Sequence, residues 1–479
     1  MATWKENNAA LDRFVRRELR RTGTPGAAVG IQLRDRSYVN GFGVTNVDHP
    51  MPVTETTLFQ VGSTTKTFTA TAIMRLVEQG KIDLSAPVRR YLPGFRLRNA
   101  DATRRATVLH LLTHTGGWLG DYFADSGRGD DALERMMGHV AKLRQLTPLG
   151  EVWSYNNAAF YIAGRVIERV TGKTYEAAVK ELLLDPLGMT NSFFFAEEVL
   201  TRRFVVGHMT HPKTGKSTVI QQWHLPRSAH AAGALVSDVG DQLAWARFHM
   251  GDGRASNGKR VLKKSTLKLM QQQQAAAGTL ADAVGVSWLL RYIDGTTLVS
   301  HGGTTAGQLS AFTMVPERAF AVTVLTNSTR GGEVHRAVVN WALEHYVGVT
   351  QPQPVHIRVA PKDLAAYAGR YRVESAGVEF EIAARGGGLV MKMPVPQAAA
   401  DGRRPPTPPD MRMRFYAPDR VVGVNGVYAG TRSEFVRSPS GRVAWFRFGG
   451  RIHRRLPNKT AKPRKAAKAR KPARAKTRR

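Results

Sequence analysis

The sequence contains no cysteine, so disulfides, thiolate zinc sites and cysteine nucleophiles are all excluded, and the composition fits a reducing cytosol without requiring one. No window has the unbroken apolar length of a membrane span, and Met1 to Asn8 lacks the apolar core of a signal peptide. The expectation is a soluble, cytoplasmic protein with no membrane partner. Acidic residues are scarce, 37 against 70 Lys and Arg, for a net charge of +33. Residues 457–479 hold six Lys and five Arg with no acid, and the rest of the chain still carries +22. That tail also lacks aromatics for base stacking and any base-reading module. It reads as a disordered basic extension, suited at most to salt-sensitive, nonspecific contact with polyanions or nucleic acid. There is no internal repeat.

What is present is a 479-residue chain with 42% hydrophobic residues, enough for two or three domains. Its organising stretch is Phe59-Gln60-Val61-Gly62-Ser63-Thr64-Thr65-Lys66. A short extended run, Leu58 to Val61, meets a glycine and then a helical pattern in which Phe68, Ala72, Ile73, Leu76 and Val77 form one apolar face. Gly80 sits where a C′ glycine ends such a helix. Ser63 and Lys66, at i and i+3, share a helix face, with the hydroxyl at the N-terminus where negative charge is favoured. That is the arrangement of an activated nucleophile.

Before this stretch, an apolar stripe at Leu11, Phe14, Val15 and Leu19 predicts a helix. Ala27 to Thr45 predicts two antiparallel strands turning near Arg34 to Ser37. Residues 82–230 read as mostly helical, with helices at 107–113, 131–145, 158–171 and 175–184. Strands follow at 284–292, 297–301, 309–315 and 320–326, then a helix at 334–346. Past a Gln351-Pro-Gln-Pro354 linker, the alternating runs at 378–382, 389–393 and 442–448 predict a small antiparallel β domain with a Pro-rich loop at 405–409.

Three motifs carry chemistry. Ser-x-x-Lys recurs at Ser256 to Lys259, in a loop, and at Ser265 to Lys268, read as a helix N-cap with a surface lysine. Only Ser63 has the strand, glycine and helix context. Tyr155-x-Asn157 precedes an apolar-periodic helix, so Asn156 or Asn157 serves as its cap, or the phenol moves protons while the amide holds substrate. His301-Gly302-Gly303-Thr304 ends a strand-like run, its glycines marking a bulge or a close approach by backbone or ligand. His-x-Gly also occurs at His114 and His249. Asp121, Asp125, Asp130 and Asp131 follow Trp118 in a Gly-rich loop. They are turn and cap residues, or carboxylates for a substrate amino group if the loop overhangs the site.

In this order the three motifs resemble those of the serine β-lactamase and penicillin-binding-protein-like superfamily, especially class C β-lactamase-like serine hydrolases with their D-aminopeptidase and esterase relatives. Gly80 to Pro87, Leu111-Leu-Thr-His-Thr-Gly-Gly117, Pro186-Leu-Gly-Met-Thr190, Ala232-Gly-Ala-Leu-Val-Ser237 and Leu325-Thr-Asn327 extend the likeness. The resemblance implies an α+β fold, an antiparallel sheet flanked by helices with a helical subdomain over roughly 82–230. The hydrolase domain would span 1–350, a lipocalin-like β-barrel domain 351–456 and the tail 457–479. It implies Ser63 as nucleophile forming an acyl-enzyme and Lys66 and Tyr155 sharing the proton work. The Ser63 and Thr304 N–H groups would form the oxyanion hole, with Gly302 and Gly303 allowing the strand to approach. Asn157 would orient substrate, and His301 would bond near Tyr155 or the substrate. No metal or cofactor is implied, and the partner is a small-molecule or short-peptide acyl substrate.

His301 departs from the β-lactamase pattern, in which a lysine there offers fixed positive charge. A largely neutral imidazole favours an esterase or D-amino-acid-type peptidase. β-Lactamase or DD-carboxypeptidase activity, and a catalytically weak binding protein with a nucleic-acid-associating tail, are the alternatives.

Overall fold

The computed structural model describes residues 3–223, 225–394 and 407–457. The basic tail from 458 onward and Pro405–Pro406 of the Pro-rich loop lie outside the described residues. No described helix is long and apolar enough to cross a membrane.

The body is built on an eight-stranded antiparallel sheet. Its order is Arg36–Gly43, Gly26–Leu33, Phe320–Thr326, Leu309–Val315, Thr296–Thr304, Leu289–Ile293, Ala283–Val284 and Ala275–Ala276. The first strand of the sheet in chain order thus pairs with its last, Ala27 opposite Thr326. Both faces are covered. Val29, Ile31, Val322 and Val324 pack under the helices Trp4–Thr22 and Gly331–Val347, while Ala28, Ala321 and Leu325 face the larger core of the helical region. Two-sided burial explains why these strands read as continuous apolar runs. The run at 284–292 is instead two short strands, because the chain turns through 285–288 with Ser287 at φ +70°.

The helix Thr65–Glu78 runs through that larger core. The sequence predicts a single apolar face, yet nearly every residue is buried, including Thr67, Thr69 and Thr71. Their hydroxyls donate to carbonyls in the preceding turn, Thr67 to Thr64 at 2.8 Å and Thr71 to Thr67 at 2.7 Å, so a polar-looking helix satisfies itself. Phe68 stacks on Trp245 at 3.8 Å. Ser265 lies inside the helix Lys264–Met270 rather than capping it; the cap position is Lys263. A hairpin, His208–Thr210 with Ser217–Val219, interrupts the mostly helical region.

Eight further antiparallel strands, from Gly369–Val373 to Arg451–Arg455, form a closed barrel in which the last strand pairs with the first. Tyr371, Phe380, Met391, Phe435 and Phe446 fill it. The turn between its last two strands docks on the body, where Tyr155 N donates to Gly450 O at 2.8 Å, and just after its first strand Glu374 pairs with Arg144 of the body and with Arg454 of the barrel's own last strand.

Because Phe68 anchors the helix that carries Lys66, Phe68→Ala is expected to cost about 3–5 kcal/mol. The urea unfolding midpoint of the body should fall accordingly; an unchanged midpoint would show that the Trp245 stack carries no stability.

Candidate active site

Ser63 sits in a single 3₁₀ turn, Gly62–Thr64, placed between a two-residue strand and the buried helix. Gly62 takes φ +53°, and a Cβ there would lie 2.5 Å from the Thr304 nitrogen. From the opposite side, a Cβ on Gly303 would lie 1.9 Å from Val61 O and 2.7 Å from the Ser63 nitrogen. Two glycines therefore let the Ser63 turn and the Thr296–Thr304 strand touch, bringing the Ser63 and Thr304 nitrogens close together. Gly302 has no such need, since its nearest neighbour would be Ser310 O at 3.1 Å.

The turn is clamped from two further elements. Ser310 Oγ donates to Val61 O at 2.7 Å and meets Thr64 Oγ1 at 2.9 Å, and Gln308 Oε1 accepts from Gln60 N at 2.8 Å. On the other side Val61 N donates to Leu235 O, and Leu235 N to Thr65 Oγ1. The segment Ala232 to Ser237 is thereby held against the Ser63 turn.

Lys66 is fully buried. Its Nζ lies 2.9 Å from Ser63 Oγ and donates to Ala232 O at 2.6 Å. Among the described residues no carboxylate pairs with it. Burial, and then the positive charge of Arg451, hold its amine well below the ordinary lysine range, with Asp121 opposing.

Tyr155 approaches from the segment before the helix Asn157–Thr171. Asn156 is that helix's cap, its Oδ1 accepting from Ala159 N at 2.9 Å, which frees the Asn157 side chain to face the pocket. The Tyr155 ring lies between His114, stacked at 4.3 Å, and the guanidinium of Arg451, 4.4 Å from the ring centre. Burial pushes this phenol up, and the charge of Arg451 and then the neighbouring Ser63 hydroxyl oppose the rise.

His301 is not bonded to Tyr155. Its Nδ1 meets its own neighbour's carbonyl, Gly302 O, at 2.7 Å, and its buried Nε2 is unpartnered. Burial and the nearby Lys66 push this imidazole down to about 3, so it is neutral at physiological pH.

Ser63, Tyr155, Asn157, His301, Gly302, Gly303 and Thr304 line one cavity of about 410 Å³, together with Phe123, Leu225 and Arg451. Of the four loop aspartates only Asp121 reaches this region. Asp130 pairs with Arg227, Asp131 with Arg135, and Asp125 accepts from Gly127 N within a turn. Asp121 accepts from Asn157 Nδ2 at 2.7 Å and from Arg451 Nε at 3.0 Å, so its carboxylate is already occupied.

Sequence reasoning missed Arg451, His114 and Ser310. His114 lies inside a quoted family segment and could have been found there; Ser310 follows the His301 motif closely. Arg451 carries no signal in a stretch where Arg454 and Arg455 look the same.

The chain belongs to the beta-lactamase family, whose model matches residues 11–345. It is accordingly a serine hydrolase related to penicillin-binding proteins, and it carries a lipocalin-like barrel. Penicillin-binding protein 4 of Amycolatopsis lactamdurans is 33% identical over 356 residues, 73% of this chain and 93% of that protein. Esterase EstB of Burkholderia gladioli is 37% identical over 213 residues, 41% of this chain and 54% of its own length. Among solved structures, SurE superposes with a TM-score of 0.74 at 25% identity, covering 95% of this chain and 100% of SurE. A second SurE structure, with D-Leu, gives 0.71.

The acid limb of any activity that uses the Lys66 amine as a base is expected to move to higher pH in Arg451→Gln. Removing that charge makes the ammonium form easier to hold, so more alkaline solution is needed to free the amine. Arg451→Lys should keep the limb near its original position. Superimposable pH profiles of kcat/KM for wild type and Arg451→Gln would rule out this electrostatic coupling.

Proposed function

We propose that the protein hydrolyses an ester or amide bond of a small or short-peptide substrate through an acyl-enzyme on Ser63, as an esterase or D-amino-acid-type peptidase. The observation that carries this reading is the 2.9 Å approach of the buried Lys66 amine to Ser63 Oγ. A free amine there accepts the hydroxyl proton as Oγ bonds to the carbonyl carbon. The oxyanion so formed falls beside the Ser63 and Thr304 N–H groups. The bond to the departing group breaks as that group takes a proton held between Lys66 and Tyr155. Water then attacks the acyl-enzyme in the same way, and Ser63 leaves as its hydroxyl. Lys66 and Tyr155 act as one coupled pair.

Neutral His301 supports an ester or amide substrate over a β-lactam, because it supplies no fixed charge for a carboxylate. The pocket's guanidinium, Arg451, is already paired with Asp121. Phe123, exposed at the mouth, and Leu225 give the pocket an apolar entrance. The likeness to Esterase EstB supports the ester branch, and the SurE structure with D-Leu supports a substrate built from D-amino acids.

A panel of p-nitrophenyl esters, L- and D-amino-acid amides and nitrocefin tests this. Wild type should turn over esters or D-amides in preference to nitrocefin, and Ser63→Ala should lose at least about 10³-fold in kcat. Equal turnover by both proteins would remove Ser63 from the chemistry; nitrocefin as the preferred substrate would move the assignment to a β-lactamase.

A further inference from the structure

A second cavity, of about 330 Å³, lies where the open end of the barrel meets the body. Leu119 and Leu146 line it from the body, and Phe380, Met391, Phe448 and Ile452 from the barrel. Its size falls at the lower end of small-molecule pockets, roughly 300–1,000 Å³, and its lining has their usual character, mostly apolar with a few polar groups. One of those groups is His453, whose buried Nδ1 has no hydrogen-bond partner among the described residues. Burial pushes this imidazole down to about 4, so at neutral pH it offers the cavity an uncharged imidazole.

The cavity is not separate from the active site. Tyr155, Gly449 and Arg451 line both spaces. The partition is the Asp121–Arg451 pair laid against the Tyr155 ring. Two features select which part of a substrate would cross it. The departing group takes its proton from the Lys66 and Tyr155 pair, so it leaves on the Tyr155 side. The space directly beyond Tyr155 and Arg451 on that side is this apolar cavity.

We infer that the barrel supplies a leaving-group subsite: the cavity takes the alkyl or aromatic part of the alcohol or amine that departs from the Ser63 acyl-enzyme. The barrel then selects substrates, beyond closing the pocket. This inference rests on the acyl-enzyme reading above. The same cavity would hold an apolar alcohol or amine in the reverse direction, poised to attack the acyl-enzyme in place of water.

The test uses the full-length protein and two ester series. One series is acetates of straight-chain alcohols from methanol to octanol; the other is methyl esters of acids from acetic to octanoic. In wild type kcat/KM should rise along the alcohol series, by about fourfold for each methylene that enters the cavity, and then level off when the cavity is full. Leu146 on the body side and Met393 on the barrel side both line the cavity; Leu146→Trp and Met393→Trp, which fill it, should flatten that rise while leaving methyl acetate turnover unchanged. If one variant fails to fold, the other carries the test, and the wild-type series stands without either. A flat alcohol series in wild type, or a rise confined to the acid series, overturns the subsite while leaving the Ser63 chemistry intact. Absence of Ser63-dependent turnover of every ester and amide overturns both readings.

Discussion

A lysine amine held out of water is the constraint on which the rest of this structure depends. Lys66 is fully buried, and its polar contacts are a hydroxyl and one backbone carbonyl. An uncompensated ammonium in such a place is expensive, so burial shifts the balance toward the neutral amine. The aromatic rings of Tyr155 and Phe160, 5.1 and 5.4 Å from Nζ, exclude water without supplying a full countercharge. What would be a defect in a purely structural helix here puts a buried amine beside a serine hydroxyl. The buried threonine-rich helix, the Phe68–Trp245 stack and the clamps from Ser310 and Leu235 all serve to keep that amine and hydroxyl in one geometry.

The barrel belongs to the same electrostatic unit. Its final hairpin carries Gly450, whose carbonyl fixes the Tyr155 backbone, and Arg451, whose charge faces the Tyr155 ring and acts on Lys66. Asp121 holds Arg451 in place and also fixes Asn157. One carboxylate thus ties Asn157 of the helical region to Arg451 of the barrel. A cation near the base favours its neutral form, and a carboxylate near the cation limits how far it does so. The barrel is therefore coupled to the Lys66 amine through fixed charges.

Much of this was legible in the sequence, for physical reasons that differ by element. The strands 309–315 and 320–326 stand where their apolar runs placed them, because both faces of the sheet are buried. Ser63 and Lys66 were separable from two identical tetrads because a glycine of positive φ stands before them and a core helix after them. The helix was misjudged as one-faced because threonines count as polar until their hydroxyls turn back to the backbone. His301 lies beside Tyr155, ring centres 6.2 Å apart, while its Nδ1 is bound to the carbonyl of its own strand, a local contact that no spacing in the sequence announces. Arg451 was invisible for a stronger reason: its role depends on a salt bridge to a residue far away in sequence, and no local periodicity encodes such a pairing.

The most direct test of the central claim is the protonation state of Lys66 in the free enzyme. Lysine side chains labelled with ¹⁵N at Nζ, with the Lys66 resonance assigned by its loss in Lys66→Arg, can be followed by NMR through a pH titration. A neutral-amine shift for Lys66 at pH 7, while the surface lysines remain ammonium, is the predicted result. An ammonium shift for Lys66 at pH 7 would contradict the account.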